Sequence, residues 1–366
     1  MSLENQGLLT GAFRRLAASP LTLHTGKALS TSKNWSSRLN EFKQSDNPRA
    51  VFEIAVTVVP LVLLWFGMSK ALQAGGFLGY LTYAAQLLLA AGMIIRLFIL
   101  QHDCGHGSLF SSKKVNDWTG RVLGVFTYTP YAYWRYLHAA HHTTNGDLDR
   151  RGLGDIDTYT VSEYNELSSL KKLQYRIYRN PFVMFIIGPF YMFILRHRLP
   201  VTIMHRSDAW ISVMTTNAAI LLVAFLLISI VGLKTFLLIQ IPVVTLGAAI
   251  GVWLFYVQHQ YENTYWNTKP EWNHEHAALQ GSSFYDLPQP FMWITGNIGI
   301  HHVHHLSSRI PFYKLPTVLK THPELKEIGR LKFKESLKCI HLTLWDDAAR
   351  QLISFKEARQ LTAAAA

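Results

Sequence analysis

Charge is scarce in this sequence, and its absences are long. Charged side chains make up 16% of the 366 residues, against about 25% in soluble domains. None occurs in residues 54–69, 71–95, 209–232 or 235–258. A helix needs roughly 20 apolar residues to cross a bilayer, so these runs predict four spans, at about 50–69, 76–99, 209–232 and 235–258. Core helices of a large soluble protein usually keep a polar stripe, which these runs lack. The links inside the two hairpins are minimal: Lys70 is the only charge in the first and Lys234 in the second.

Cysteine is nearly absent. Cys104 and Cys339 are the only two, too few for a disulfide framework, a thiolate-bound iron–sulfur cluster or a zinc ribbon. The HExxH pattern of hydrolytic zinc enzymes is missing, and His274-Glu275-His276 does not supply it. No Rossmann fingerprint, fused haem domain, internal repeat or signal-peptide pattern is present.

Nearly all the remaining Lys and Arg fall in three places: before residue 50, in 101–208 and after 258. An even number of spans puts all three, and both termini, on one side, which the positive-inside rule makes cytoplasmic. The net charge of +12 is therefore first a topology signal. Anionic head groups or an acidic partner are further users of it, whereas a nucleic-acid reading lacks any interleaved basic stripe. The apolar run 181–195 is short and broken by Gly188-Pro189, so it reads as interfacial or re-entrant. A fifth span there would instead place the later histidines on opposite sides.

Histidine is abundant, with 17 residues, and it is clustered: His102 and His106; His138, His141 and His142; His301, His304 and His305. On helices these spacings gather imidazoles on a face. The hairpin topology brings all three sets to one side of the membrane. His259 ends the fourth span as His102 ends the second, and it is expected to join them. Nine imidazoles exceed what one ion takes and predict two. Imidazole suits Zn, Cu, Fe and Ni. A nine-histidine set with neither cysteine nor a poised glutamate favours redox iron.

HDCGH, HAAHH and HHVHH resemble the three histidine boxes of the integral-membrane fatty acid desaturases. The likeness covers about residues 50–320. Its contexts RLFILQHDCGHGSLF, GDIDTY, GVWLFYVQHQYE and HHVHHLSSRIPFYKLP look closest to the acyl-lipid ω-6 (Δ12) branch. The resemblance implies an all-α integral membrane fold, with four transmembrane helices in two hairpins and a helical cytoplasmic cap holding a di-iron site. It implies O2-dependent insertion of a cis double bond into a fatty acyl chain. The ligands would be His102, His106, His138, His141, His142, His301, His304 and His305, with His259 as the family's extra ligand; His302 is left out. Some members carry an Asn one turn before that extra histidine; here the position is Phe255, and Asn297 is the substitute candidate.

Carboxylates are expected to orient ligating imidazoles, with Asp103, Asp155, Asp157 and Glu262 the main candidates and Asp147 and Asp149 others. Gly105 and Gly107 either admit a close helix approach or end the second span. Two electrons per turnover must come from a separate carrier, ferredoxin in a bacterial membrane or cytochrome b5 in an endoplasmic one, and the bacterial inner membrane is the expected setting. Arg150, Arg151, Lys171 and Lys172 are candidate docking charges. The same site could instead serve a hydroxylase or oxygenase acting on a lipid, alkane or carotenoid. A metal transporter would need polar ligands inside the spans near the midplane, and the spans are almost free of His, Asp and Glu. The expected organisation is a cytoplasmic lead over 1–49, the desaturase domain over 50–330, and a peripheral amphipathic helix over 331–366.

Overall fold

A computed structural model describes residues 35–269 and 271–365. Four of its helices are long and apolar enough to cross a membrane: α1 (Asn47–Ala74), α2 (Gly76–His106), α6 (Ser207–Val231) and α7 (Leu233–His259). Each starts or ends where local chemistry dictates. Asp46 caps α1 by accepting from the Arg49 amide, with Pro48 in the first turn. α2 stops at Gly107, whose left-handed backbone returns its N–H to the carbonyls of Asp103 and Cys104. At about 1.5 Å per residue, α2 and α7 outreach the bilayer, so their last turns stand clear of it as mounts for side chains. Of the hydrophobic residues of α6 only Ala209 and Val213 are buried, as suits a helix with lipid around most of its circumference.

From Leu39 onward the chain is one compact body. Between the hairpins lie α3 (Lys113–Phe126), α4 (Tyr131–Thr144) and α5 (Ser169–Tyr178). The run 181–195 continues α5 at a bend of 59°. It holds wide π-type turns at Val183–Ile187 and Tyr191–Leu195, flanking the Gly188-Pro189 break. Phe185 packs on Trp253 and Tyr256 of α7, and Phe193 on Phe98 of α2. Both contacts lie within about two helical turns of His259 or His102. At these contacts the run lies beside the cap-end halves of α2 and α7.

The cap is completed after α7 by α8 (Gln289–Ile294), α9 (His301–Leu306) and α10 (Leu315–Thr321), with α11 (Phe355–Ala365) at the end. Five short strands tie the cap together. β1 (Tyr159–Thr160) pairs in parallel with β4 (Leu344–Asp346), which pairs antiparallel with β5 (Gln351–Ile353). β2 (Phe284–Asp286) pairs with β3 (Arg330–Lys332). In place of the single amphipathic helix expected over 331–366, the chain forms short helical turns at Phe333–Ser336 and Leu337–His341, two strands, and then α11. Leu344, Trp345, Leu352 and Ile353 are buried by strand pairing instead. Strand pairing beat the helical reading because Leu344–Asp346 meets β1 on one edge and β5 on the other, and all three of its residues are buried. Residues 1–34 of the expected lead lie outside the described residues.

Candidate metal centre

Nine histidines meet at the cap end, and they sort into two groups. His102, His106, His138, His142 and His304 form one; His141, His259, His301 and His305 form the other. Box one rides the last turn of α2, box two the second half of α4, box three all of α9, and His259 closes α7. In the first group, His138 Nε2 lies 3.0 Å from both His106 Nε2 and His142 Nε2, and His304 Nε2 lies 3.1 Å from His142 Nε2. In the second, four Nε2 atoms close a ring: His141 to His259 is 3.2 Å, His259 to His301 3.0 Å, His301 to His305 3.1 Å and His305 to His141 3.2 Å. His142 and His305 stack at 4.1 Å between ring centroids, so the groups abut.

The tautomers decide what these contacts mean. His141 offers Nδ1 to the Asp155 carboxylate. His259 donates from Nδ1 to the Gly281 carbonyl at 3.0 Å. With both protons on Nδ1, the facing Nε2 atoms are bare lone pairs. Two acceptors 3.2 Å apart repel unless a cation lies between them. Imidazole nitrogens held about 2.1 Å from one ion at right angles are about 3.0 Å apart, which matches the observed edges. The donor set fits a transition metal in each group. Burial, reinforced by neighbouring imidazoles, holds His138, His142, His301, His304 and His305 far below the ordinary imidazole pKa. They are neutral ligands in waiting.

Distant parts of the chain fix this geometry. Asp103 lies between His102 Nδ1 (3.3 Å) and the Phe312 N–H, which donates to its other oxygen at 2.7 Å. The start of α4 is capped from α6: Ser212 Oγ accepts from the amides of Ala132 and Tyr133 at 3.1 and 3.3 Å. Trp134 stacks on His138 at 4.6 Å. Gly154 carries a φ of +84°, and a Cβ there would lie 2.8 Å from the Leu137 carbonyl oxygen; this tight turn delivers Asp155 to His141. Gly105 meets the Trp134 ring, while Gly107 ends the helix.

Other sequence candidates sit elsewhere. Glu262 is exposed, with its carbonyl accepting from Leu352. The carbonyl of Asp157 takes a hydrogen bond from Arg179, and burial beside Asp155 raises its carboxyl pKa. The Asn297 amide points to the Phe312 carbonyl at 3.5 Å. Asp147 holds Arg150 at 2.6 Å, and Asp149 accepts from the Lys269 amide. His302 turns outward and donates to the Leu325 carbonyl at 2.9 Å. Phe255 rests against His141 and His259, with ring centroids at 5.0 and 5.2 Å, and walls that side with hydrocarbon.

One pair escaped the sequence reading. Arg96, inside α2, donates to both Glu53 of α1 and the Trp293 carbonyl at the end of α8. Its guanidinium lies 4.1 Å above the Trp293 ring. The signal was available: an arginine within an otherwise apolar helix needs a partner.

Four helices long and apolar enough to cross a membrane, capped by two adjoining histidine clusters that could each hold a metal ion, are the features of an integral membrane metalloprotein fold. The profile of the family described as "Fatty acid desaturase" matches residues 78–333. A "Fatty acid desaturase" of Bacillus subtilis is 40% identical over 329 residues, 90% of this chain and 92% of that protein. A Synechocystis protein named "sn-1 acyl-lipid omega-3 desaturase (ferredoxin)" is 31% identical over 60% of this chain and 61% of its own length. A Nostoc protein of the same name is 28% identical over 71% of each. The chain belongs to the fatty acid desaturase family, and it is an oxidoreductase of that class.

Proposed function

We propose that this enzyme uses two iron ions and O2 to insert a cis double bond into the acyl chain of a membrane lipid. One ion is assigned to His102, His106, His138, His142 and His304, the other to His141, His259, His301 and His305. The observation that carries the reading is the facing of the His141 and His259 lone pairs, each with its Nδ1 already committed. Bound iron supplies the oxidising power that no acid–base side chain has against an unactivated methylene. The residues of the chain orient and shield. Asp155 and the Gly281 carbonyl hold two imidazoles in register, and Asp103 faces a third. Phe255 and Trp134 keep hydrocarbon rather than water beside the nitrogens. His106, His138 and His142 are only half-buried, whereas all four members of the second group are fully buried. The acyl chain therefore approaches on the side of the first group.

The cap and both termini are assigned to the cytoplasm of a bacterial inner membrane, because the basic residues gather at the cap end. For the position of the double bond, the box contexts support Δ12, the ω-6 position. The cyanobacterial relatives named for ω-3 activity make methyl-end counting from that site the competing reading. Expression in a host that makes only saturated and monounsaturated lipids, followed by gas chromatography–mass spectrometry, tests both. A new Δ12 diene that vanishes in His141→Ala is expected. An added oxygen in place of a double bond would move the assignment to a hydroxylase. No new product with donor and iron supplied would overturn it.

A further inference from the structure

We propose that the cleft behind box three is where an acidic one-electron carrier protein docks and passes its electrons toward the second histidine group. The inference rests on the desaturase reading. That reaction balances as RCH2CH2R′ + O2 + 2e⁻ + 2H⁺ → RCH=CHR′ + 2H2O. O2 is reduced to two waters by two electrons from the acyl chain and two from outside. The carrier is oxidised by one electron in each of two encounters. The chain's two cysteines are buried singly, so it has no thiolate set of its own to store them. Both electrons must cross the protein surface near the metal.

The cleft has a volume of about 310 Å³. Its floor is apolar, with Phe284, Met292, Ile300 and Leu319, and its rim carries Lys320, Lys326 and Arg330 with one carboxylate, Asp286. Ile300 immediately precedes His301, a member of the sealed group. The Phe284 ring meets the His302 ring at 5.9 Å. His302 also donates to the Leu325 carbonyl at 2.9 Å, and Lys326 on the rim is the next residue. A short path of covalent and hydrogen bonds thus runs from the rim through His302 to His301.

Charge favours this face over the one expected from sequence. Arg150 is committed to Asp147, Arg151 to Glu163, and Lys172 to the Asn165 carbonyl, which leaves the exposed Lys171 as the one cation of that set whose side chain makes no hydrogen bond or ion pair among the described residues. Arg330 is likewise held by Asp286 and Glu327. Among the described residues Lys320 and Lys326 make no ion pair; they are exposed beside an apolar floor. Uncommitted cations around a hydrophobic depression suit an acidic protein with an apolar patch at its redox centre, since complementary charge steers the encounter and sets its salt dependence.

The test uses the full chain in lipid nanodiscs, reduced by an acidic [2Fe–2S] ferredoxin with its reductase. Lys320→Glu/Lys326→Glu is expected to raise the KM for ferredoxin about tenfold at low salt and to flatten its ionic-strength dependence. Iron content and dithionite-driven single turnover should stay unchanged. Lys171→Glu/Lys172→Glu, on α5, should leave the KM alone. An unchanged ferredoxin KM in the rim variant overturns the proposal. So does a defect that appears only when anionic lipid is varied, because the rim would then read head groups. If the unmodified enzyme fails to desaturate even with dithionite, the desaturase reading falls and takes the docking face with it.

Discussion

Ser212 Oγ, on the first membrane turns of α6, lies 3.1 Å from the amide nitrogen of Ala132 at the start of α4. A residue 80 positions away thus caps the helix that carries box two. Pro130 stands at the usual capping position and has no side-chain oxygen to do so. Replacing the hydroxyl orphans two partly buried N–H groups. Ser212→Ala should cost about 1 kcal/mol of stability and loosen His138 and His142. Thermal unfolding in nanodiscs together with iron stoichiometry checks this; an unfolding temperature and iron content equal to the parent's would remove α6 from the support of the site.

Asp155 should matter beyond its charge. It keeps the His141 proton on Nδ1 and the lone pair on Nε2. Asp155→Ala is expected to weaken iron binding or turnover by about 10- to 100-fold, the usual effect of losing a carboxylate that orients a ligand. Asp155→Asn should be intermediate, since one acceptor oxygen remains but the negative charge is lost. Chelator competition gives the affinities. Equal iron affinity in all three proteins would contradict the orienting role.

Adjacent histidines in box three should separate cleanly. His301 Nε2 lies in the four-nitrogen ring, whereas His302 points the other way to Leu325. His301→Ala should lose iron from the second group. His302→Ala should keep both irons while losing about 1–3 kcal/mol of stability, because it leaves the Leu325 carbonyl without its partner. Iron counted per chain, set beside an unfolding curve, distinguishes the two; metal loss in His302→Ala would force a different assignment of the box.

The family, the four spans and the membership of the nine-histidine set were legible because each is written as a local pattern: uncharged runs, and histidines at helical spacing. The sorting into two groups was not. His138 and His142 are four apart and share one group, while His141, one residue from His142, faces the other. His301 and His305 likewise stay together while His304 crosses over. Successive helical residues diverge by about 100°, so a compact box serves two centres only when helices approach from both sides. That approach is a tertiary fact. The same holds for Asp103, whose partner amide on Phe312 is 209 residues distant. Glu262 and Asp157 were plausible by proximity in sequence, yet neither meets an imidazole in the way Asp155 does. The final strands were hidden because the partner of Leu344–Asp346 includes β1, far back in the chain.

Arg96 offers the sharpest stability test. Its side chain and that of Glu53 are almost fully buried, at 1% and 2% exposure. The pair joins α1 to α2 and, through the Trp293 carbonyl, secures α8 just ahead of box three. A buried ion pair contributes little net stability over a well-packed apolar pair, because desolvation offsets the attraction, but removing one partner strands the other charge. Arg49 Nε also donates to Glu53 at 2.7 Å, so Arg96→Met leaves the carboxylate one of its two partners and should destabilise the fold by less than the about 3–5 kcal/mol of a fully stranded charge. Adding Glu53→Gln in the same chain should recover much of that loss, since the buried carboxylate charge is gone, although the tie to Trp293 stays lost. Unfolding of the parent, both single variants and the double variant in identical nanodiscs closes the cycle. If the two single effects simply add, the charges act independently and the clamp is only packing. If the double variant is more stable than Arg96→Met yet still holds less iron than the parent, the arginine has a second task, holding α8 and the approach to His301 in place.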